Sequence, residues 1–140
     1  MPAPYSTSRR IEFRDTDAAG IAHFSTYFTM MEQAEHELLR WLDLSVLTAD
    51  EQGVISWPRV SCQCDYQGPL RFEDVVEIHV FLERLGSKSI TYRFEFVCRE
   101  QTVAVGRTTA VCCRIEESAP PLAIEIPTAM REKLAPLVSA

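Results

Sequence analysis

One long amphipathic stripe followed by four alternating segments constrains this chain of 140 residues more than any other feature. From Ser25 or Thr26, either a reasonable helix N-cap, apolar residues recur as Tyr27, Met31, Ala34, Leu38 and Leu42. Phe28, Met30, Leu39 and Trp41 broaden the stripe, while Glu32, Gln33, Glu35, His36 and Arg40 take the remaining positions. The spacing predicts a helix of about 17 residues, roughly 25 Å long, buried over much of its circumference.

The segments that follow change period from 3.6 to 2. Val60, Cys62, Cys64 and Tyr66 oppose Arg59, Ser61, Gln63 and Asp65; Val76, Ile78, Val80 and Leu82 oppose Glu77, His79 and Glu83. Ile90, Tyr92, Phe94 and Phe96 oppose Thr91, Arg93 and Glu95, and one run from Thr102 to Ile115 carries Val103, Val105, Val111, Cys113 and Ile115. Each reads as a half-buried strand. Turns are expected at Gln67-Gly68-Pro69, Leu85-Gly86-Ser87 and Arg99-Glu100-Gln101, short enough for antiparallel connections. A weaker strand signal covers residues 8–14, through Ile11 and Phe13, and Pro127 opens a short terminal helix that Pro136 limits. The order is strand, helix, four strands, small helix, which predicts an α+β domain spanning residues 1–140, with an antiparallel meander laid on one helix. Open sheet edges favour pairing across a two-fold axis.

A net charge of −6 argues against broad binding to nucleic acid or anionic membranes and leaves room for a local basic patch. No apolar run approaches the ~18 residues of a membrane span, and the first residues lack signal-peptide character, so a cytoplasmic location is expected. The five cysteines show no metal-ligand spacing; Cys62, Cys64 and Cys98 read as small core hydrophobes. Neither a P-loop, a His/Cys metal cluster nor a nucleophile elbow is present, so no metal is expected.

Chemistry concentrates in Asp15-Thr16-Asp17-Ala18-Ala19-Gly20-Ile21-Ala22-His23-Phe24, two acids and a histidine on a glycine-broken loop before the long helix. The helix start turns unpaired amides and the positive dipole end toward the loop, so a carboxylate and an oxyanion-stabilising amide can face one substrate atom, as acyl transfer needs. Asp15 reads as a structural residue bonding local amides.

Ile11-Glu12-Phe13-Arg14-Asp15-Thr16-Asp17-Ala18-Ala19-Gly20-Ile21, with Tyr27 and Glu32 in the helix, resembles the signature of the 4-hydroxybenzoyl-CoA thioesterase family of hotdog-fold acyl-CoA thioesterases. Tyr66-Gln67-Gly68-Pro69-Leu70-Arg71-Phe72-Glu73-Asp74 and Leu85-Gly86-Ser87-Lys88-Ser89 resemble its second and third recurring segments. The resemblance implies a central helix wrapped by a curved antiparallel sheet of about five strands, in homodimers joined sheet edge to sheet edge or in homotetramers, with active sites between subunits. It implies hydrolysis of an acyl-CoA to a free acid and CoA. Asp17 matches the catalytic carboxylate, acting as nucleophile or as a base for water, and the amides around His23 and Phe24 are expected to hold the oxyanion.

Gly20 shapes the loop and Tyr27 lines the acyl pocket. By the same resemblance Lys88 and Ser89 are the candidates to grip the CoA phosphates, with Arg71 and Arg84 as weaker ones. His23 departs from the family's commoner forms; it is a candidate to orient water, contact the acyl group or pair with Asp17. No cofactor is implied beyond the CoA carried by the substrate. Two alternatives stand beside this reading: a hotdog-type dehydratase or hydratase using His23 for proton transfer, and a module that binds acyl-CoA without turnover.

Overall fold

The computed structural model describes residues 2–139. The elements are β1 (Tyr5–Arg10), α1 (Thr26–Trp41), β2 (Thr48–Asp50), β3 (Gly53–Ser56), β4 (Arg59–Tyr66), β5 (Val75–Leu85), β6 (Ser89–Cys98), β7 (Gln101–Val111), β8 (Cys113–Ile115), β9 (Leu122–Ala123) and α2 (Thr128–Leu134). The expected long helix is present, and the apolar stripe faces inward: Tyr27, Met30, Met31, Ala34, Leu38 and Leu39 are buried.

Five antiparallel strands form the main sheet in the order β1-β5-β6-β7-β4. This corrects the expected simple meander. Only β5, β6 and β7 follow one another; β4 crosses to the far edge beside β7, and β1 closes the other edge on β5. The inward face carries Val76, Ile78, Val80 and Leu82 from β5, Tyr92, Phe94 and Phe96 from β6, and Ala104 and Ala110 from β7, all buried in one core with α1.

Three further expectations are corrected. The first strand ends at Arg10, because the chain from Glu12 winds into a 3-10 turn at Phe13–Asp15 closed by reciprocal bonds between Glu12 and Asp15. The run from Thr102 to Ile115 is broken at Cys112, whose amide donates to the Lys88 carbonyl, and β8 continues into a second sheet, β2-β3-β8-β9. Cys62 is exposed on the edge strand rather than buried, whereas Cys98, Cys112 and Cys113 are buried.

Gly106 lets α1 lie close to the sheet. A Cβ there would fall 2.4 Å from the Met31 Cε and 2.5 Å from its Sδ, and Met31 is fully buried. A second tie is ionic. An irregularity between Arg59 and Ser61 turns Arg59 to the helix side, where its Nη1 lies 2.9 Å from the carboxylate of Glu35, itself 2% exposed. Burial pushes the Glu35 carboxyl above its ordinary value, and the Arg59 charge opposes that shift. His36, outside the apolar stripe in the sequence, tucks its Nε2 away from water without a partner among the described residues, and burial lowers its pKa.

Gly106→Val should cost about 1–3 kcal/mol by overpacking against Met31. Urea unfolding of Gly106→Val, Met31→Ala and the double variant should show less-than-additive losses; additive losses contradict the close approach. Because the folded-state pKa of Glu35 is raised, the native state holds that proton more tightly than the unfolded chain. The contribution is complete below the unfolded value and is lost as pH rises through the folded one. Relative to Glu35→Gln, the parental protein should therefore lose stability as pH rises from about 4.5; parallel stability curves would contradict the raised value.

Candidate functional site

The loop before α1 is tied by its own main chain. The His23 amide donates to the Asp15 carbonyl at 2.7 Å, the Asp17 amide to the Ile21 carbonyl at 2.8 Å, and the Gly20 amide to the Asp17 carbonyl at 3.0 Å. Gly20 adopts φ +81, where a side chain would be strained. The Thr26 hydroxyl donates to the Asp15 carbonyl at 3.0 Å, so one carbonyl gathers both ends of the loop. A strand-like bridge between Ile21 and Arg71 and a 2.7 Å bond from the Ala22 amide to the Leu70 carbonyl fasten the loop to the segment after β4.

Within this frame the Asp17 carboxylate is held by one oxygen. Its Oδ1 accepts the Ala19 amide at 2.8 Å and the Ile21 amide at 3.4 Å, while Oδ2 has no hydrogen-bond partner among the described residues. Asp15 has the structural role expected of it: its Oδ2 accepts the Glu12 amide at 2.8 Å.

Asp17 opens into a pocket of about 340 Å³ walled by Ile21, Ala22, Phe24, Tyr27, Tyr66, Gly68 and Pro69. Tyr27 packs edge to face on Tyr66, with ring centroids 4.9 Å apart, and on Phe96 at 5.3 Å. Burial, with the Cys64 thiol nearby, pushes the Tyr27 hydroxyl up to about 12, so it stays neutral. Trp57 belongs to the core.

The helix start corrects one expectation. The His23 amide is consumed by the Asp15 carbonyl and is not free for an oxyanion. The Phe24 amide has no acceptor among the described residues, and Phe24 lines the pocket. The Tyr27 amide is likewise without an acceptor among the described residues, so a group bearing negative charge beside Asp17 has main-chain donors at the mouth of α1, of which the Phe24 amide is the first, where the dipole also favours it. Ser25 does not cap the helix through its side chain; its Oγ lies 2.8 Å from His23 Nδ1, which also accepts the Ser25 amide at 3.2 Å. That makes Nδ1 an acceptor and puts the proton of the neutral ring on Nε2. The exposed His23 ring rests on Phe24, centroids 4.5 Å apart, and makes no bond to Asp17.

Lys88 and Ser89 are not brought to Asp17 within one chain. Ser89 pairs with Val111, while Phe96 pairs with Ala104 at the pocket end of the sheet, a separation of seven residues along β7 and about 23 Å. Gly20 stands outside the pocket and acts through loop shape. A second concavity of about 410 Å³ on the other side of the loop is lined by charges of both signs, Arg9, Arg10 and Arg14 with Glu12 and Asp15. Arg9 is engaged by Gln33, Thr7 and Glu37. Tyr66, Gly68 and Pro69 were not read from sequence as site residues; the signal was the aromatic at the end of an alternating strand just before Gly-Pro. Among the described residues no cluster of His, Cys, Asp or Glu is arranged to hold a metal, and no helix is long and apolar enough to cross a membrane.

Comparisons with known proteins agree with this architecture. Residues 11–134 match the model of the thioesterase-like superfamily. A 1,4-dihydroxy-2-naphthoyl-CoA hydrolase of Synechococcus sp. (strain CC9605) is 34% identical over 104 residues, 71% of this chain and 70% of that protein. A putative esterase of Aquifex aeolicus (strain VF5) is 31% identical over 113 residues, 81% of this chain and 86% of that one. The solved structure of a gentisyl-coenzyme A thioesterase superposes with a TM-score of 0.79 at 27% identity, covering 92% of this chain and 98% of that chain. The chain belongs to the thioesterase-like superfamily, in the 4-hydroxybenzoyl-CoA thioesterase group whose sequence signature it carries around Asp17.

Proposed function

We propose that this protein hydrolyses acyl-CoA thioesters, with Asp17 as the reacting carboxylate and the Phe24 amide as oxyanion donor. The observation that carries the reading is the shared pocket: a carboxylate with one oxygen unpartnered and a main-chain N–H without an acceptor, at the start of a helix, beside aromatic walls. The thioester carbonyl lies against Asp17, and the charge that develops on its oxygen is met by the Phe24 N–H and the helix start. Asp17 attacks the carbonyl carbon, or takes a proton from water that does so. The names of the relatives support CoA-thioester cleavage, and the aromatic walls suit an aryl acyl group.

The protein works as a homodimer in this proposal, or as a tetramer of two such dimers. β4 is an edge strand of the main sheet, and it carries Val60, 63% exposed, with Cys62 and Tyr66 also exposed. Pairing two β4 edges antiparallel about a two-fold axis covers this strip. The Arg59 end of one β4 then lies beside the Tyr66 end of the other. Lys88 of the partner subunit sits three strand spacings from the pocket, about 14 Å, nearer than the Lys88 of the same chain. The nucleotide end of CoA would meet a cation from across the axis. A hydratase role for His23 has less support, because its Nδ1 is engaged by Ser25 and the ring does not line the pocket.

Asp17→Asn keeps the acceptor that Ala19 and Ile21 use but removes the carboxylate's reactivity. Thiol release from a panel of aryl and fatty acyl-CoA esters should fall on the order of 10²–10⁴-fold with the unfolding midpoint nearly unchanged; parental rates would sink the assignment. Hydration of crotonyl-CoA, measured alongside, should be absent. Val60→Glu should shift sedimentation toward monomer and lower thiol release in parallel; a fully active monomer contradicts the shared site.

A further inference from the structure

Tyr66 ends β4 and reaches across to the start of α1, where its hydroxyl donates to the Phe24 carbonyl oxygen at 2.8 Å. Phe24 is the residue whose amide is offered to the pocket, so this side chain and the free N–H act on one residue from its two ends. A carbonyl held in place fixes the following peptide plane, and planar peptides on both sides leave only the Phe24 backbone torsions to aim the N–H. On the other side of the turn the chain is held through Asp15, which accepts the His23 amide and the Thr26 hydroxyl. Between these anchors, the Tyr66 hydroxyl is the one contact that grips Phe24's own main chain among the described residues.

The ring has a packing contact besides this bond. It meets Tyr27 edge to face at 4.9 Å, a contact that Tyr66→Phe keeps. The side chain is partly exposed, but desolvation at the hydroxyl, with the neighbouring Cys64, pushes it up to about 12, which keeps it a neutral donor under assay conditions.

We propose that Tyr66 is a positioning residue for the oxyanion hole: its hydroxyl holds the Phe24 peptide so that the adjoining N–H points at the thioester oxygen. It does not itself donate a proton to the substrate. The inference rests on the thioesterase reading above and adds to it a residue that acts through the main chain rather than by touching the reacting atoms. A preorganised donor counts because no reorganisation is needed as charge develops; a loosened one still donates, but from a wider spread of directions.

Tyr66→Phe keeps the ring and its packing on Tyr27 and removes only the hydroxyl. Thiol release from the best acyl-CoA of the panel should lose about five- to tenfold in kcat, the worth of one ordinary hydrogen bond, with KM and unfolding midpoint at parental values and the shape of the kcat–pH curve unchanged. Hydrogen–deuterium exchange of the segment 22–28 should quicken, the local signature of a released turn. Tyr66→Ala should in addition lower the unfolding midpoint. A parental kcat in Tyr66→Phe overturns the inference, as does a loss carried by KM or by the midpoint, unchanged exchange over 22–28, or a loss confined to one pH limb, which would make the hydroxyl a proton donor. Asp17→Asn, run beside it, separates the two levels. If the parental protein releases thiol and Asp17→Asn does not, while Tyr66→Phe matches the parent, only the positioning role fails. If parent and Asp17→Asn release thiol alike, the catalytic reading itself has failed.

Discussion

The Asp15 carbonyl is the fixed point on which the site depends. By accepting both the His23 amide and the Thr26 hydroxyl, it closes the loop that carries Asp17 and seats the first turn of α1 in the same step. A main-chain acceptor suits this work because its position is set by the peptide plane and not by a rotamer. Asp17 and the Phe24 amide then fall on one wall of one pocket. Two acids two residues apart thus divide their roles: Asp15 builds the frame, and Asp17 faces the space the frame encloses.

The sheet supplies the other half of the site and leaves it open. Tyr66 and Gly68-Pro69, at the end of the edge strand β4, form the far wall, and the edge itself exposes Val60 and Cys62. A strand with unpaired main chain and apolar side chains at its rim is a liability, and the proposed dimer answers it by pairing the two β4 edges. The same geometry separates Lys88 from Asp17 within a chain, which is why the proposed dimer brings a cation to the pocket from across the two-fold axis. The core ties, Met31 over Gly106 and Glu35 on Arg59, hold α1 against β7 and β4, the two strands nearest that edge.

Sequence periodicity reveals what burial dictates and misses what hydrogen bonds dictate. The helix and the strands β5 and β6 were legible because one face of each is packed in the core, and the alternation of Ile90, Tyr92, Phe94 and Phe96 is the direct imprint of that packing. β1 was displaced in the reading because its own residues, Tyr5 to Arg10, are mostly polar, while the alternating Ile11 and Phe13 lie beyond it; Phe13, 78% exposed, rests on Phe72 instead of the core. Arg59 was assigned to the polar face, but the irregularity beside it reverses its direction. The small second sheet is built from strands of two to four residues, too short for any period to register.

The site shows the same division. That Asp17 would lie on the loop before the long helix was legible from the loop composition and the family resemblance, and that unpaired amides would stand beside it from the loop's place in the chain. Which amides are free was not, since His23 is withdrawn by its bond to the Asp15 carbonyl while Phe24 and Tyr27 are left without acceptors among the described residues. The contribution of Tyr66 was likewise hidden, because an aromatic ending an alternating strand reads as core until its hydroxyl is seen on the Phe24 carbonyl.

A crystal structure with a non-hydrolysable acyl-CoA analogue tests the central claim most directly. The account predicts the analogue's carbonyl-position oxygen about 2.7–3.1 Å from the Phe24 amide nitrogen and its carbon about 3–3.5 Å from an Asp17 carboxylate oxygen, or one water away. An analogue seated with its reacting group remote from Asp17, or with that oxygen turned to solvent, would contradict it.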